Sequence, residues 1–259
     1  MKDEFERNGF LQINELLPEQ VVVEAESGIQ CVMDGQYRLG RPPLNISPRG
    51  SERAEMIRID QPHWADPGLQ SLVCNPLLAN TAAQLLNTSV IQVWYAHALY
   101  KPPVSEASHV GWHADGQYVD FFENDFVTAW VALSDIRGDS GTLTYIKGSH
   151  NVSLPRVSGF SSKTSYENQV ERIRSIYPSA MQEVHIIGNR GTVSFHHSRM
   201  LHGSGANRSE HPRMTVTIHY RGARNRLRRP LPSNFVTSTL AIPRDSPIVL
   251  GTAQMLDMP

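Results

Sequence analysis

Long apolar runs are missing from this 259-residue chain. No stretch approaches the ~20 consecutive apolar residues that a membrane-spanning helix needs. The opening MKDEFERNGF has no apolar core of the kind a secretory signal carries, so a cytoplasmic, reducing setting is expected. Cysteine is scarce as well. Cys31 and Cys74 are the only two, which excludes a disulfide framework and a cysteine-rich zinc site. An excess of one charge is also absent: 24 Lys plus Arg stand against 25 Asp plus Glu, a formal net charge of −1. Neither a nucleic acid nor an anionic membrane is therefore an expected partner. Gly203 and Gly205 lie outside any strand–GxGxxG–helix context, so no dinucleotide fingerprint is present. What the chain has is an ordinary globular composition, 40% hydrophobic and 19% charged, and an unusual eleven histidines. The question is which histidines converge.

The length suits one domain covering 1–259. Residues 4–17 read as a helical turn followed by a short strand. Leu17-Pro18-Glu19 reads as a helix start, and Gln20 to Met33 carries apolar residues at helical spacing. Residues 35–50 are rich in Gly, Pro and Arg and read as a long loop, and Asn75 to Leu86 as a second amphipathic helix. From residue 90 the texture changes to short β-rich runs at 90–101, 126–135, 141–150, 183–188, 191–197 and 213–223. Such spacing suggests an antiparallel sandwich or barrel. Residues 151–182 form a polar insert, with a helix over 166–177. The expected layout is mostly helical support and loop over 1–89, a β core over 90–223, and a C-terminal extension over 224–259.

Chemistry concentrates at two places. In Gly111-Trp112-His113-Ala114-Asp115, residues i and i+2 of an extended strand share a face, so His113 and Asp115 offer an imidazole and a carboxylate to one point. Such a pair alone is common by chance. In Met200-Leu201-His202-Gly203-Ser204-Gly205, His202 follows a β run and would complete a set of two histidines and one carboxylate. That set occupies one face of an octahedral metal and suits non-haem Fe(II). Arg213, eleven residues beyond His202, can hold a carboxylate with both arms of its guanidinium. A zinc hydrolase uses the same ligand types but gives Arg213 and Ser204 no task. A non-catalytic cupin-like binding barrel would have a broken ligand set, and here the set is intact.

Together these residues resemble the phytanoyl-CoA dioxygenase-like family of Fe(II)- and 2-oxoglutarate-dependent oxygenases. The resemblance rests on EFERNGFLQINELLPEQ near the N-terminus, KPP at 101–103, GWHAD at 111–115, AWVAL at 129–133, GTLTYIKGSH at 141–150 and GTVSFHHSRMLHGSGANRSEHPR at 191–213. It implies a double-stranded β-helix (a jelly-roll, cupin-like core) flanked by helices. It implies iron held by His113, Asp115 and His202, and 2-oxoglutarate held by Arg213 with Ser204, beside Trp130, His97 and Lys101. The implied reaction consumes O₂, turns 2-oxoglutarate into succinate and CO₂, and oxidises an unactivated C–H bond. Asp115 argues against halogenation, because halogenating relatives carry a small residue there. Hydroxylation is the default, while epimerisation, desaturation and ring closure run on the same ligands.

The substrate is expected to be a small molecule of secondary metabolism, natural-product or amino-acid-derived, with an apolar body and an anionic end. Trp94, Trp112, Gln117, Tyr118 and Phe121 are the candidate lining residues, with Phe122 adding aromatic surface, and Arg38, Arg41 and Arg49 supply positive charge. His196 and His197 alternate faces, so at least one packs or meets solvent. His63, His109, His150, His185, His211 and His219 are expected in outward or structural roles. The basic run at 221–230 reads as a solvated turn.

Overall fold

The computed structural model describes residues 1–48, 55–152, 166–176, 182–232 and 234–259. The order of elements is α1 (Lys2–Asn8), β1 (Phe10–Ile13), α2 (Glu19–Met33), β2 (Asn45–Ser47), β3 (Ile57–Asp60), α3 (Pro67–Val73), α4 (Pro76–Leu86), β4 (Ile91–Lys101), β5 (Val110–His113), β6 (Val127–Ala132), β7 (Leu143–Ile146), α5 (Tyr166–Ile176), β8 (Glu183–His185), β9 (Val193–His197), β10 (His202–Ser204), β11 (Arg213–Arg221), α6 (Phe235–Thr239) and β12 (Ile248–Leu250). The expected strands after residue 90 all appear, shortened at their ends. The helix expected over 166–177 is α5, and the rest of that insert lies mostly outside the described residues, as does Arg49.

The strands form two sheets, every pairing antiparallel. The larger runs β1-β9-β6-β11-β4-β3-β2, with β12 added on β4, and the smaller runs β5-β10-β7-β8. This is the double-stranded β-helix. The N-terminal third is more than helical support, because it gives β1, β2 and β3 to the larger sheet. The C-terminal extension gives β12.

The sequence of β11, RMTVTIHYR, explains how the larger sheet is used. Successive side chains of a strand point to opposite faces. Met214, Val216, Ile218 and Tyr220 thus join Ala96, Ala98, Val131 and Phe195 in one apolar core with α2, α3 and α4. The residues between them, Arg213, Thr215, Thr217 and His219, face the other way. Cross-strand register extends that second face across its neighbours: Thr217 stands beside Trp130 and His97, and His219 beside Thr128 and Tyr95. One face is hydrophobic glue, and the other is the polar floor of a cavity. Pairing slips at the end of β4, where Tyr95 is opposite His219 but Val93 is opposite Tyr220. The extra residue, Trp94, is a bulge, so Trp94 and Tyr95 both line the cavity.

Local chemistry starts the helices of the core. Asp66 caps α3 by accepting from the backbone N–H of Gly68 (2.9 Å) and Leu69 (3.2 Å), with Pro67 at the first helical position. Asn75 and Pro76 repeat the device for α4, with Leu77 N donating to Asn75 Oδ1 at 2.9 Å. Helices α2 and α3 cross closely enough to require glycine: a Cβ on Gly68 would sit 2.4 Å from the Glu24 carbonyl oxygen. His63 is fully buried nearby, its Nε2 3.2 Å from the Asp245 carbonyl.

Two outcomes follow for stability. Gly68→Ala must push α3 off α2, and although alanine favours helix by about 1 kcal/mol, the clash dominates, with an expected net loss of roughly 1–3 kcal/mol in urea denaturation. Burial lowers the His63 imidazole to about 4. The unfolded chain takes up this proton near its ordinary value while the folded state resists, so stability is intact above pH ~6.5 and falls as pH drops from there towards about 4. Replacement by glutamine should flatten that decline by up to about 1.4 kcal/mol per pH unit. Parallel urea titrations of the wild type and H63Q between pH 7.5 and 4.5 measure it.

Candidate metal centre

His113 closes β5 and His202 opens β10, and the two are direct cross-strand partners. Ala114 is extended (φ −116°, ψ 137°), which carries Asp115 onto the same side as His113 before the chain turns. One ligand atom from each of His113, Asp115 and His202 lies within 4.8 Å of the others. Asp115 Oδ1 is 3.7 Å from His113 Nε2 and 3.6 Å from His202 Nε2. Each ring donates its Nδ1–H to the carbonyl two residues back, His113 to Gly111 at 2.7 Å and His202 to Met200 at 2.8 Å. A neutral ring so tied keeps its Nε2 lone pair for the centre. Burial holds both imidazoles below their ordinary value, with the neighbouring His113 adding to the effect at His202.

Asp115 uses its two oxygens differently. Oδ1 faces the histidines, while Oδ2 accepts from Thr128 Oγ1 (2.7 Å) and His196 Nε2 (3.0 Å). Burial opposes its ionisation. The neighbouring His202, the hydrogen bond from His196 and the nearby His219 outweigh burial and hold the carboxyl well below the usual range. Behind these donors, Tyr145 Oη lies 2.9 Å from His196 Nδ1 and 3.0 Å from Ser194 Oγ, and His219 Nδ1 is 2.9 Å from Thr128 Oγ1. Two neutral imidazoles and one ionised carboxylate, buried and hydrogen-bonded from behind, are a donor set that fits a divalent transition metal.

The three open into a cavity of about 340 Å³, lined also by Arg213, Ser204, Trp130 and His97. Arg213 is 1% exposed, and none of its three guanidinium nitrogens has a hydrogen-bond partner among the described residues. Its central carbon lies 5.8 Å from the Trp130 ring, and burial pulls its pKa down to about 9. A buried unpaired cation is costly, so this position fits a bound carboxylate. Lys101 does not line the cavity. Its ammonium donates to Ser204 Oγ (2.7 Å) and to the carbonyls of Gly205 (2.6 Å) and Gly141 (3.3 Å), bracing the strand that carries His202.

Of the expected substrate-lining residues, Trp94, Tyr118 and Phe121 face the cavity. Trp112 points to the opposite side of β5 from His113 and packs on Gly203, where a Cβ would lie 3.0 Å from the indole. Gln117 lines a neighbouring groove with Phe122 and Ser198. Two of the three arginines expected to supply positive charge, Arg38 and Arg41, are turned away. Arg38 pairs with Asp66 at the start of α3, and Arg41 pairs with Asp245 while covering the Trp64 ring at 3.7 Å. The cavity's second arginine is Arg58, bonded to Asp60 Oδ1 (2.6 Å) and Tyr95 Oη (3.1 Å). Arg58, Tyr95, His196, Thr217 and His219 were all missed as site residues. The alternation of RMTVTIHYR held the signal for Thr217 and His219, since it places both on the face of Arg213.

The model of the family described as phytanoyl-CoA dioxygenase (PhyH) matches residues 5–215. Human peroxisomal phytanoyl-CoA dioxygenase is 25% identical over 232 residues, 85% of this chain and 67% of that protein. Ectoine dioxygenase of Bordetella bronchiseptica is 26% identical over 241 residues, 87% of this chain and 76% of that one. The crystal structure of SnoK, a non-heme alpha ketoglutarate dependent carbocyclase from nogalamycin biosynthesis, has the same fold. Its TM-score is 0.68 at 23% identity, over 92% of this chain and 89% of that one. A family match spanning most of the β core and the metal centre, joined to this donor set, places the chain in the phytanoyl-CoA dioxygenase family of Fe(II)- and 2-oxoglutarate-dependent dioxygenases.

Proposed function

We propose that this enzyme hydroxylates an unactivated C–H bond of a small organic molecule, with His113, Asp115 and His202 holding the iron and Arg213 the distal carboxylate of 2-oxoglutarate. The observation that carries this reading is Arg213, a buried guanidinium without a partner, in the same cavity as the two-histidine, one-carboxylate set. A hydrolytic zinc site leaves that arginine without a task. When bound, iron with 2-oxoglutarate supplies O₂ activation, and oxidation of the substrate is coupled to formation of succinate and CO₂.

The chain's own residues do the rest. The Nδ1–H bonds of His113 and His202 fix the orientation of both rings, and Thr128 with His196 fixes the rotation of Asp115. Ser204, steadied by Lys101, lines the same cavity as Arg213 and supports its selection of a dicarboxylate. Trp94, Tyr95, Val110, Phe121 and Leu143 give the cavity an apolar wall that excludes water from the reacting bond and suits an apolar substrate body. An anionic substrate end has lost the support expected from Arg38 and Arg41. Among the described residues, Arg58, paired with Asp60, is the second arginine lining the cavity and would meet such an end. A natural-product or amino-acid-derived molecule of moderate size fits this lining.

Anaerobic titration of Fe(II)-loaded protein with 2-oxoglutarate tests the assignment through the weak visible charge-transfer band of the chelate. The band should appear in the wild type and be absent from His113→Ala, whose circular dichroism stays native. A folded, iron-loaded wild type without the band removes the oxygenase reading. Arg213→Ala should keep its iron and raise the 2-oxoglutarate concentration at half-saturation by roughly a hundredfold, the usual cost of deleting one partner of a buried charged pair. An unchanged half-saturation would reassign Arg213 and leave the metal site standing.

A further inference from the structure

The hydrogen bonds around Asp115 have directions fixed by one fact: an ionised carboxylate has no proton to give. Thr128 Oγ1, 2.7 Å from Asp115 Oδ2, must therefore donate to it. A hydroxyl has one proton, so the same oxygen can only accept from its other neighbour, His219 Nδ1, at 2.9 Å. The proton of His219 is thereby placed on Nδ1, and in a neutral ring Nε2 carries a lone pair. At pH 7.5 an imidazole of ordinary pKa is mainly neutral.

The branch through His196 closes inside the protein on Tyr145 and Ser194. The branch through Thr128 does not close. His219 lines the cavity, and its Nε2 has no hydrogen bond among the described residues. The ring is also held still. Its centroid lies 4.9 Å from the Trp94 ring, 5.8 Å from those of Tyr95 and His97, and 6.0 Å from that of Phe126.

We infer that His219 is a specificity-determining residue: its Nε2 accepts a hydrogen bond from an O–H or N–H of the substrate, so the enzyme selects a donor-bearing molecule, an alcohol, amine or amide, with an apolar body. The inference rests on the oxygenase reading above. In the neutral ring the geometry leaves Nε2 the acceptor role. Such a ring cannot offer a proton at Nε2 without surrendering the one given to Thr128, and that would loosen the carboxylate of the metal centre. A substrate presenting only an acceptor at this point would face lone pair against lone pair. His219 also sits one hydroxyl away from Asp115, so the donor group of the substrate and the metal ligand share one rigid unit.

The test uses protein labelled with ¹⁵N in its histidines and loaded with diamagnetic Zn(II) and 2-oxoglutarate. At pH 7.5 the His219 ring should carry its proton on Nδ1. Two probes of nearly the same shape, cyclohexanol and its methyl ether, should then differ. The alcohol should shift the Nε2 resonance and bind at least about tenfold tighter, the difference one satisfied hydrogen bond makes. The preference should vanish in His219→Phe. A proton on Nε2, equal binding of both probes, or an Nε2 resonance that neither probe moves would each overturn the inference. The Fe(II)–2-oxoglutarate band separates this failure from failure of the oxygenase reading, since a wild type that forms the band keeps its activity class whatever the probes do. If His219→Phe itself loses the band, the wild-type tautomer and probe pair still decide the matter.

Discussion

Asp115 Oδ2 is the atom on which the rest of the site depends. Had both carboxylate oxygens faced the histidines, the carboxylate could rotate freely and the donor set would have no fixed geometry. With Oδ2 taken by Thr128 and His196, only Oδ1 remains for the centre, and the carboxylate is held in one rotation. The two donors come from different strands, β6 and β9, which are neighbours in the larger sheet with Thr128 directly opposite His196. Asp115 itself follows β5 of the smaller sheet. The contact therefore ties the two sheets together at the point where a metal would sit, and it transmits the sheet's register into ligand geometry.

That register was legible in advance where alternation is strict. β11 reads polar and apolar by turns over nine residues, and each class went to its own face. The His113–Asp115 pair was legible for the same reason, since one extended residue between them suffices. Helix α4 was legible from its apolar spacing, and Asn75-Pro76 adds a local start signal. The failures have a common physical origin, because each depends on a partner distant in sequence. Arg38 and Arg41 looked like free cations in a loop, and only the fold supplies Asp66 and Asp245 to neutralise them. Trp112 sits beside the ligand histidine in sequence, and the same alternation that aims His113 inward aims Trp112 away. The bulge that sends both Trp94 and Tyr95 to the cavity arises from mismatched pairing with β11, which β4 alone does not record. The strands β2 and β3 are three and four residues long, too short to show a period, and they escaped notice until the sheet claimed them.

Histidines divide along the same line. A count of eleven suggested a metal site without saying which would build it. The two in the candidate metal set, His113 and His202, are marked by their neighbours in sequence, Asp115 and the Gly203–Gly205 segment. Of the two that support Asp115 from behind, His196 carries no local signature, and the alternation of β11 gives His219 its face but not its partner. Their roles are set by the β9–β6–β11 order, which brings His196, Thr128 and His219 into one row across three strands. A residue that acts through another is invisible until the other is placed.

The two arginines that bracket β11 provide an internal comparison. Both are buried, Arg213 at 1% and Arg221 at 0% exposure. Arg221 is solvated by the protein: Gln92 Oε1 accepts from it at 2.7 Å and the Asp257 carbonyl at 2.9 Å, with the Asn225 carbonyl and the Met258 sulfur completing the shell. Even so, burial lowers it only to about 10, against about 9 for Arg213, which has nothing. One strand thus shows that this fold can satisfy a buried guanidinium where the charge is structural. At its other end the same strand leaves a guanidinium unsatisfied, in the cavity that Ser204, Trp130 and the candidate metal ligands also line. An unpaired buried charge lowers the stability of the protein alone. The cost is confined to the end of β11 that opens on the cavity, and a carboxylate arriving from solvent would remove it. On the proposed reading, Arg213 is half of a pair whose other half is a ligand.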